Sequence, residues 1–399
     1  MSVASRNHCC LDDFTARGAL KIQNGFPCGN WNDKGVGVLQ LRPFNVTDGG
    51  QIDLSSAKFI ETDKKLDSYL LRNGDVIFNN TNSEALVGKT AYWARSESAV
   101  LSNHMTILRV LDQEALNGQF LAFYLLLKWY DGHFHSICQR HVNQASVGKD
   151  RLGATVLPRI ELPEQKKIAH ILSTVQRAIE AQERIIQTTT ELKKALMHKL
   201  FTEGLRNEPQ KQTEIGPVPE SWEVVELENV CELIVDCPHT TPKFLSEGVR
   251  VARNFNIRDG RFVSEPAFFT SEEQYQDRVR RAVPQAGDVL FSREAPVGEA
   301  CVIPDATRLS LGQRTMLIRT DRNRLIPDFL VYSFYSPVLS AHMKSIASGL
   351  TVAHLNVADV RKLPLPLPSL SVQVEIAQAL LYRARSRLNL LEGLEVQGQ

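Results

Sequence analysis

The sequence contains no run of about 18 or more apolar residues, the length that a membrane-spanning helix needs. Its first eight residues also lack the apolar segment that is typical of a secretory signal. The chain has seven cysteines, an odd number, and no two of them form a CxxC pair. These absences argue against a membrane protein, a disulfide framework and a zinc ribbon, and they favour a reducing cytoplasm.

The sequence also lacks the motifs of nucleotide-dependent and metal-dependent catalysis. Val87-Gly-Lys-Thr90 resembles the end of a phosphate-binding loop, but Ser83 stands where that loop needs its first glycine. No GxGxxG motif occurs, and His133 and His135 have no further ligands at the spacing of a metal site. No pair of acids and no activated nucleophile stands out. We therefore expect no catalytic site, no cofactor and no metal in this chain.

The bulk charge gives little guidance, because the formal net charge is only +1. The charges are unevenly distributed, however. Residues 207–236 are strongly acidic, whereas residues 237–365 form a basic body in which arginine greatly outnumbers lysine. Charge alone leaves two interpretations open, a solvated surface of mixed charge and a surface that binds nucleic acid.

The strongest feature of the sequence is an internal duplication at an offset of about 210 residues, far beyond the roughly 20–50 residues of a solenoid repeat. The order of the matches is kept along the chain. The matching segments are Arg42-Pro-Phe44-Asn45 with Arg253-Asn-Phe255-Asn256, Asn73-Gly-Asp75-Val-Ile-Phe78 with Ala286-Gly-Asp288-Val-Leu-Phe291, Ile107-Leu-Arg109 with Leu317-Ile-Arg319, and Gln165 to Leu172 with Gln373 to Leu380. The duplication predicts two copies of a whole domain, each followed by a helix.

Each copy has the same predicted plan, in which short β-like runs separated by turn residues precede a helical stretch. The predicted strands are 37–41, 76–78, 89–93 and 106–110 in the first copy, and 249–251, 289–291, 300–303 and 316–319 in the second. The predicted helices are 117–130 and 327–344. The fold class is therefore α+β, with two similar mixed α/β domains.

A long helix is predicted between the two copies, because 164–205 contains no proline and a single glycine, Gly204. Apolar residues recur every three or four positions from Ile168 to Leu200, as in a coiled-coil seam about 60 Å long. The expected partner is a second helix over 370–394, whose seam is Ile376, Leu380, Ala384, Leu388 and Leu391. We predict that the two helices pack antiparallel; the alternative is two independent amphipathic helices on local cores.

Loops in both copies are rich in side chains that pair with base edges, since arginine suits guanine and asparagine or glutamine suits adenine. The candidate DNA-binding residues are Arg42, Asn79, Asn80, Asn82, Lys89, Asn143 and Gln144 in the first copy, and His239, Thr240, Lys243, Arg253, Arg293, Arg314 and His354 in the second. Residues shared by both copies, such as Arg42 and Arg253, should hold phosphates or the fold, because base contacts must differ between half-sites. The alternative for each asparagine is a turn residue that bonds its own backbone.

Three segments resemble the specificity subunit of type I restriction–modification systems. Leu162-Pro-Glu-Gln-Lys-Lys-Ile-Ala leading into Leu192-Lys-Lys-Ala-Leu-Met resembles the central spacer helix. Ile215-Gly-Pro-Val-Pro-Glu-Ser-Trp222 resembles the opening of a second target recognition domain, and Gly287-Asp-Val-Leu-Phe-Ser-Arg293 resembles a segment inside it. The first copy lacks the Pro-x-x-Trp opening that the second has.

The resemblance implies a non-catalytic subunit that binds double-stranded DNA, two methyltransferase subunits and restriction–translocase subunits in a bacterial or archaeal cytoplasm. Each domain would recognise one half of a bipartite target, and the helices would set the spacing and dock the methyltransferases. S-adenosylmethionine, ATP and Mg²⁺ would belong to the partner subunits. The implied domains are 1–157 and 207–365 for target recognition, with spacer helices at 158–206 and 366–399. The alternatives are a coiled-coil scaffold and the recognition part of a fused methyltransferase or nuclease.

Overall fold

The structure is a computed structural model that describes residues 8–27, 30–348 and 353–381, and it divides into two compact units. The first unit is 1–182 and the second is 183–399. This division falls inside the long helix, so it does not test the four domain boundaries predicted from the sequence. Within the described ranges, no helix is both long and apolar enough to cross a membrane.

The first unit consists of strands in small sheets with helices packed against them. Its strands are β1 (His8–Cys10), β2 (Leu20–Asn24), β3 (Val38–Leu41), β4 (Lys58–Ile60), β5 (Val76–Asn79), β6 (Thr81–Asn82), β7 (Thr90–Tyr92), β8 (Ala99–Leu101), β9 (Met105–Val110), β10 (Gln139–Arg140), β11 (Ala145–Ser146) and β12 (Val156–Pro158). Its helices are α1 (Leu11–Ala16), α2 (Gly118–Tyr130), α3 (His133–Ile137) and α4 (Lys149–Gly153), followed by α5 (Leu162–Thr202), which continues into the second unit.

The second unit has the same kinds of elements. Its strands are β13 (Gln210–Thr213), β14 (Gly216–Pro219), β15 (Glu223–Glu226), β16 (Cys231–Asp236), β17 (Val249–Ala252), β18 (Ile257–Arg258), β19 (Arg261–Phe262), β20 (Phe269–Thr270), β21 (Val289–Ser292), β22 (Ala300–Val302), β23 (Leu309–Leu311), β24 (Thr315–Thr320) and β25 (Pro364–Leu367). Its helices are α6 (Glu272–Arg278), α7 (Pro327–Tyr335), α8 (Pro337–Ile346), α9 (Val357–Arg361) and α10, described over 370–381.

The sheets confirm the duplication, because three of them recur in both units with the same strand order. The four-stranded antiparallel sheet is β2-β9-β5-β7 in the first unit and β16-β24-β21-β22 in the second. The three-stranded sheet is β4-β3-β8 or β20-β17-β23, and its middle strand has one parallel and one antiparallel neighbour in each unit. The antiparallel pair β1-β12 or β15-β25 joins a strand near the start of each unit to the last strand before its trailing helix.

The four-stranded sheet lies between two apolar clusters, which explains the continuous apolar run of its central strand. Val76 and Phe78 on β5 pack into the cluster that contains α2, whereas Ile77 points to the opposite face and packs with the three-stranded sheet. Side chains alternate between the faces of a strand, so a sheet covered on both faces needs apolar residues at every position. Leu290 and its neighbours on β21 repeat this arrangement in the second unit.

A buried glutamine joins the start of each trailing helix to the N-terminal cap of an earlier helix, α2 in the first unit and α7 in the second. Gln165 on α5 accepts a hydrogen bond from the Asn117 backbone N at 2.9 Å. Gln373 on α10 accepts from the Ile326 backbone N at the same distance. The side-chain amides also donate to backbone carbonyls, Gln165 to Ile160 and Gln373 to Arg324 and Pro368. The matched positions of the sequence therefore hold matched contacts.

The prediction of one helix over 327–344 is wrong, because two helices cover this region. α7 ends at Tyr335, and Ser336 has an extended backbone with ψ at 144°. The Ser336 hydroxyl accepts a hydrogen bond from the Leu339 backbone N, and Pro337 takes the first position of α8. Serine at the cap and proline at the first position are both strong signals of a helix start.

The long helix is confirmed as α5, a single helix of 41 residues. Ala169 near its start packs into the first unit, and Met197, Leu200 and Phe201 near its end pack into the second. Four of the predicted seam positions between these ends, Leu172, Val175, Ile179 and Leu192, are 41–52% exposed, whereas others such as Ile186 and Leu196 are half-buried. Ala384, Leu388 and Leu391 of the predicted partner lie outside the described residues, so the antiparallel pairing stays a prediction.

Candidate nucleic-acid interface

In the first unit, the segment that follows β5 leaves the four-stranded sheet and carries three of the predicted asparagines. Asn79 is fully buried, and its side-chain N donates to the Pro43 carbonyl at 3.0 Å. The buried Asn80 amide donates to the Thr106 hydroxyl at 2.9 Å, and that hydroxyl donates to Asn24 Oδ1 at 3.4 Å. A chain of neutral hydrogen bonds therefore fixes the beginning of this segment.

A small three-stranded sheet, β10-β11-β6, continues from this segment and places amide side chains at the surface. Asn82 on β6 is opposite Ala145 on β11. The turn over 141–144 joins β10 to β11 and is closed by the His141 backbone N, which donates to the Gln144 carbonyl at 2.7 Å. Asn143 and Gln144 are exposed in this turn. The first unit thus brings Asn82, Asn143 and Gln144 to one edge.

The second unit has a corresponding segment at the end of β21, but its chemistry is charged. Ser292 is fully buried at the position of Asn79, and Arg293 takes the position of Asn80. Arg293 Nε lies 3.2 Å from Asp236 Oδ1, and Asp236 Oδ2 lies 3.3 Å from His239 Nε2. An arginine–aspartate–histidine cluster therefore replaces the neutral amides of the first unit.

Glu294 brings two more predicted residues to the same edge of the second unit. Arg314 Nε lies 3.2 Å from Glu294 Oε1, and the Arg314 carbonyl accepts from the Arg293 backbone N at 3.1 Å. His354 pairs with both Glu294 and Ser348 in antiparallel bridges. This bridge arrangement matches β10-β11-β6 of the first unit. Three predicted residues, Arg293, His239 and Arg314, thus contact two carboxylates, and His354 lies beside Glu294 through its backbone.

The loop over 237–243 carries the remaining predicted residues of the second unit, His239, Thr240 and Lys243, which are exposed. Side chains from elsewhere in the unit hold its backbone. The buried Arg278 at the end of α6 donates to the Thr240 carbonyl at 2.9 Å and twice to the Leu311 carbonyl. The Gln313 amide donates to the His239 carbonyl at 3.0 Å. Burial lowers the pKa of Arg278, as expected where neutral carbonyls surround a cation.

Replacing this anchor should loosen the loop without disturbing the rest of the protein. We expect Arg278→Met to lower the free energy of unfolding by about 1–3 kcal/mol, because the buried Leu311 carbonyl and the Thr240 carbonyl lose their donors. Recognition of the half of the target bound by the second unit should weaken, while recognition of the other half should persist. The measurement is urea unfolding together with binding to DNA altered in one half at a time.

Arg308→Met is the matched control, because Arg308 is exposed and forms an ion pair with Glu272, which lies on α6 together with Arg278. An exposed ion pair contributes little, about 0–1 kcal/mol. Equal losses in the two variants would show that Arg278 does not position the loop.

Three of the predicted DNA-binding residues are buried and form their contacts within the protein. Asn79 and Asn80 are buried with the contacts described above, and the buried Lys89 ammonium lies 2.7 Å from Asp48 Oδ1. The expectation that these three side chains contact DNA does not fit their places in the structure, because β5 and the residue before β7 lie under the surrounding loops. The other candidates are exposed or half-buried, Arg293 among them, and their contact with DNA stays a prediction.

Equivalent residues at the two 3-10 helices, Pro43–Asn45 and Asn254–Asn256, stabilise the backbone in both units. The buried Asn45 and Asn256 side chains accept from the backbone N of Arg42 and Arg253 at 2.9 and 3.0 Å. The expectation that shared residues serve the fold is confirmed for these asparagines.

Sequence reasoning missed Arg278 and the aromatic residues around Arg42 and Arg253. The phenylalanine shared by the matched segments at Phe44 and Phe255 was the available signal, since both are exposed. In the part of the chain that the structure describes, no group of three or more His, Cys, Asp or Glu side chains could hold a metal ion.

Comparisons with known proteins agree with this arrangement. The family described as "Type I restriction modification DNA specificity domain" matches the chain twice, over residues 46–190 and 219–393. The chain is 28% identical over 365 residues to a protein of Methanocaldococcus jannaschii described as the type I restriction enzyme MjaX specificity subunit, covering 90% of this chain and 83% of that protein. It is 27% identical over 244 residues to the MjaVIII specificity subunit of the same organism, covering 59% of this chain and 56% of that protein.

A solved structure has the same fold. It is the type I restriction–modification system S subunit from M. genitalium, with a TM-score of 0.62 and 12% sequence identity, and the match covers 99% of this chain and 94% of that one.

Proposed function

Because the chain belongs to the type I restriction–modification DNA specificity family, we propose that it selects the DNA target of such a system, each module binding one half of a bipartite sequence. The observation that carries the proposal is the duplication. Two modules share strand order, buried ion pairs and helix contacts, yet they differ where the segment after β5 or β21 reaches the surface. A shared framework with different surface chemistry is what recognition of two unlike half-sites requires.

The surface chemistry supports unlike half-sites. The first module presents the amides Asn82, Asn143 and Gln144, a residue type that pairs well with adenine. The second module presents arginine, histidine and carboxylate groups, which pair with guanine and cytosine as well. The target is therefore an asymmetric sequence rather than a palindrome.

We also propose which tasks belong to partner subunits. Two methyltransferase subunits, bound along the spacer helices, would supply S-adenosylmethionine and transfer the methyl group to a flipped base. Restriction–translocase subunits would supply ATP and Mg²⁺. The chain described here would contribute target selection alone. The exposed apolar positions of α5 between its two packed ends support a role in docking or in pairing with a second helix.

Exchanging residues 1–157 for the corresponding module of another such subunit tests the two-module proposal. We expect the hybrid, expressed with its methyltransferase, to methylate a target in which one half has changed and the other half and the spacing are retained. The measurement is methylation mapping across the DNA of the host cell. A change in both halves would contradict the assignment of one half to each module.

A further inference from the structure

An arginine flanked by exposed aromatic rings occurs at the same place in both modules. In the second module, the Arg253 guanidinium lies 5.4 Å from the ring centroid of Phe244, 5.1 Å from that of Phe255 and 4.7 Å from that of Phe268. Phe244 and Phe255 are 37% and 43% exposed. Large exposed aromatics around a fixed cation are unusual on a surface that contacts only water.

The first module repeats this arrangement with different residues. Arg42 corresponds to Arg253, and its guanidinium lies 5.2 Å from the Trp31 ring. Trp31 occupies the place of Phe244, because the residue after each ring bridges to an equivalent strand residue. Asn32 pairs with Phe59 on β4, and Leu245 pairs with Phe269 on β20. Lys58, whose ammonium lies 4.0 Å from Trp31, takes the place of Phe268. Trp31 and Phe44 are 47% and 53% exposed.

Each arginine is also held next to the segment that we propose to read bases. The Pro43 carbonyl, next to Arg42, accepts from the Asn79 side chain. The Asn254 side chain, next to Arg253, donates to the Ala295 carbonyl. The two arginines therefore have fixed positions relative to the parts of the modules that differ. No carboxylate forms an ion pair with the Arg253 guanidinium among the residues that the structure describes.

We propose that Arg42 and Arg253 each bind a backbone phosphate of the DNA. The neighbouring aromatic side chains, one ring at Arg42 and three at Arg253, would hold each guanidinium in place and pack against the adjoining deoxyribose. This inference rests on the proposed function and adds the part of the contact that does not depend on sequence. Base-reading residues must differ between two unlike half-sites, whereas phosphates are the same in both. A planar guanidinium suits phosphate oxygens and stacks on aromatic rings, and lysine does not combine these properties.

A methyltransferase subunit is the other possible occupant, since two of them are expected and the patch occurs twice. Two features favour DNA. The patch lies beside the segments with divergent surface chemistry, and it has a cation at its centre.

The test is the salt dependence of DNA binding by the assembled methyltransferase complex. Each phosphate contact contributes about 0.9 to the slope of log affinity against log salt concentration. We expect Arg253→Gln and Arg42→Gln each to reduce the slope by about 0.9, and the double variant by about 1.8. Between 50 and 200 mM salt, each variant should then lose about threefold less affinity than the unmodified complex. Arg253→Lys should retain the slope while binding more weakly.

Arg308→Gln is the control, because Arg308 is an exposed arginine 4.2 Å from the Tyr275 ring, in the same module. Its slope should not change. An unchanged slope for both Arg42→Gln and Arg253→Gln would overturn the proposal, and so would loss of the methyltransferase from the complex, which would assign the patch to subunit docking. Methylation mapping separates this proposal from the proposed function. An altered target sequence in either variant would show base reading by that arginine and leave the two-module function intact.

Discussion

Asp75→Ala should lower the free energy of unfolding of the first module by about 3–5 kcal/mol, the effect of leaving one buried charge without its partner. Arg109 donates to both carboxylate oxygens of Asp75, Nε at 2.7 Å and Nη2 at 2.6 Å. The side chains are only 2% and 11% exposed, so water cannot replace the lost carboxylate. The hydrogen bonds that Arg109 donates to Asp75 raise the pKa of Arg109. Arginine stays protonated in proteins even without such a partner, so Asp75→Ala leaves a buried charge uncompensated.

The second module contains the matched control. Arg319 donates to both oxygens of Asp288 at 2.8 Å, but its side chain is 24% exposed. Water can therefore reach the guanidinium in Asp288→Ala, and we expect a smaller loss of about 2–3 kcal/mol. Urea unfolding followed by tryptophan fluorescence suits the comparison, because Trp31, Trp93 and Trp129 all lie in the first unit. An equal loss of unfolding free energy in Asp75→Ala and Asp288→Ala would contradict the proposal that burial of the arginine makes the first loss larger.

The framework of the modules could be predicted from the sequence because its parts are matched in both copies. Asp75 with Asp288, Arg109 with Arg319, and Gln165 with Gln373 all belong to segments that align at an offset near 210. The structure joins these same residues in equivalent contacts. Two copies that keep a buried polar group keep its partner as well, since an unpaired buried group is costly.

The surface was harder to predict, because a polar residue in a turn-rich segment has the same composition whether it is buried or exposed. Asn79 and Asn80 were expected to meet DNA, yet both are buried. Asn79 is the last residue of β5 and donates to the Pro43 carbonyl, and Asn80 donates to the Thr106 hydroxyl. The correspondence of Trp31 with Phe244 was invisible for another reason. The loops that carry these two rings differ in length between the two copies. Trp31 and Phe244 are therefore 213 residues apart in sequence, whereas Arg42 and Arg253 are 211 apart.

The opening segment of the second module, residues 215–222, ends in a tryptophan that packs in the core of that unit. Trp222 lies in a cluster of three buried rings, with centroids 6.1 Å from Phe201 on α5 and 6.1 Å from Phe329 on α7. Phe201 and Phe329 are 5.6 Å apart. This cluster attaches the end of the long helix to the core of the second unit.

Phe201→Ala should therefore lower the free energy of unfolding of the second unit by about 3–5 kcal/mol, through the lost ring and the cavity left between Trp222 and Phe329. Trp222 is the only tryptophan of residues 183–399, and excitation of the variant should show its ring more exposed to water. Leu192→Ala, at an exposed position 51% accessible on the same helix, is the control and should change stability by less than about 0.5 kcal/mol.

The same substitution has a consequence for target selection. If α5 sets the distance between half-sites, as the family resemblance implies, a loosened attachment at Phe201 should let the assembled complex accept targets whose spacer is one base pair longer or shorter. Both half-site sequences should stay unchanged, because neither surface edge contains Phe201. Methylation of a set of targets that differ only in spacer length measures this directly. A variant that is destabilised as expected but keeps a single spacer length would show that the distance between half-sites is set by other contacts than this ring cluster.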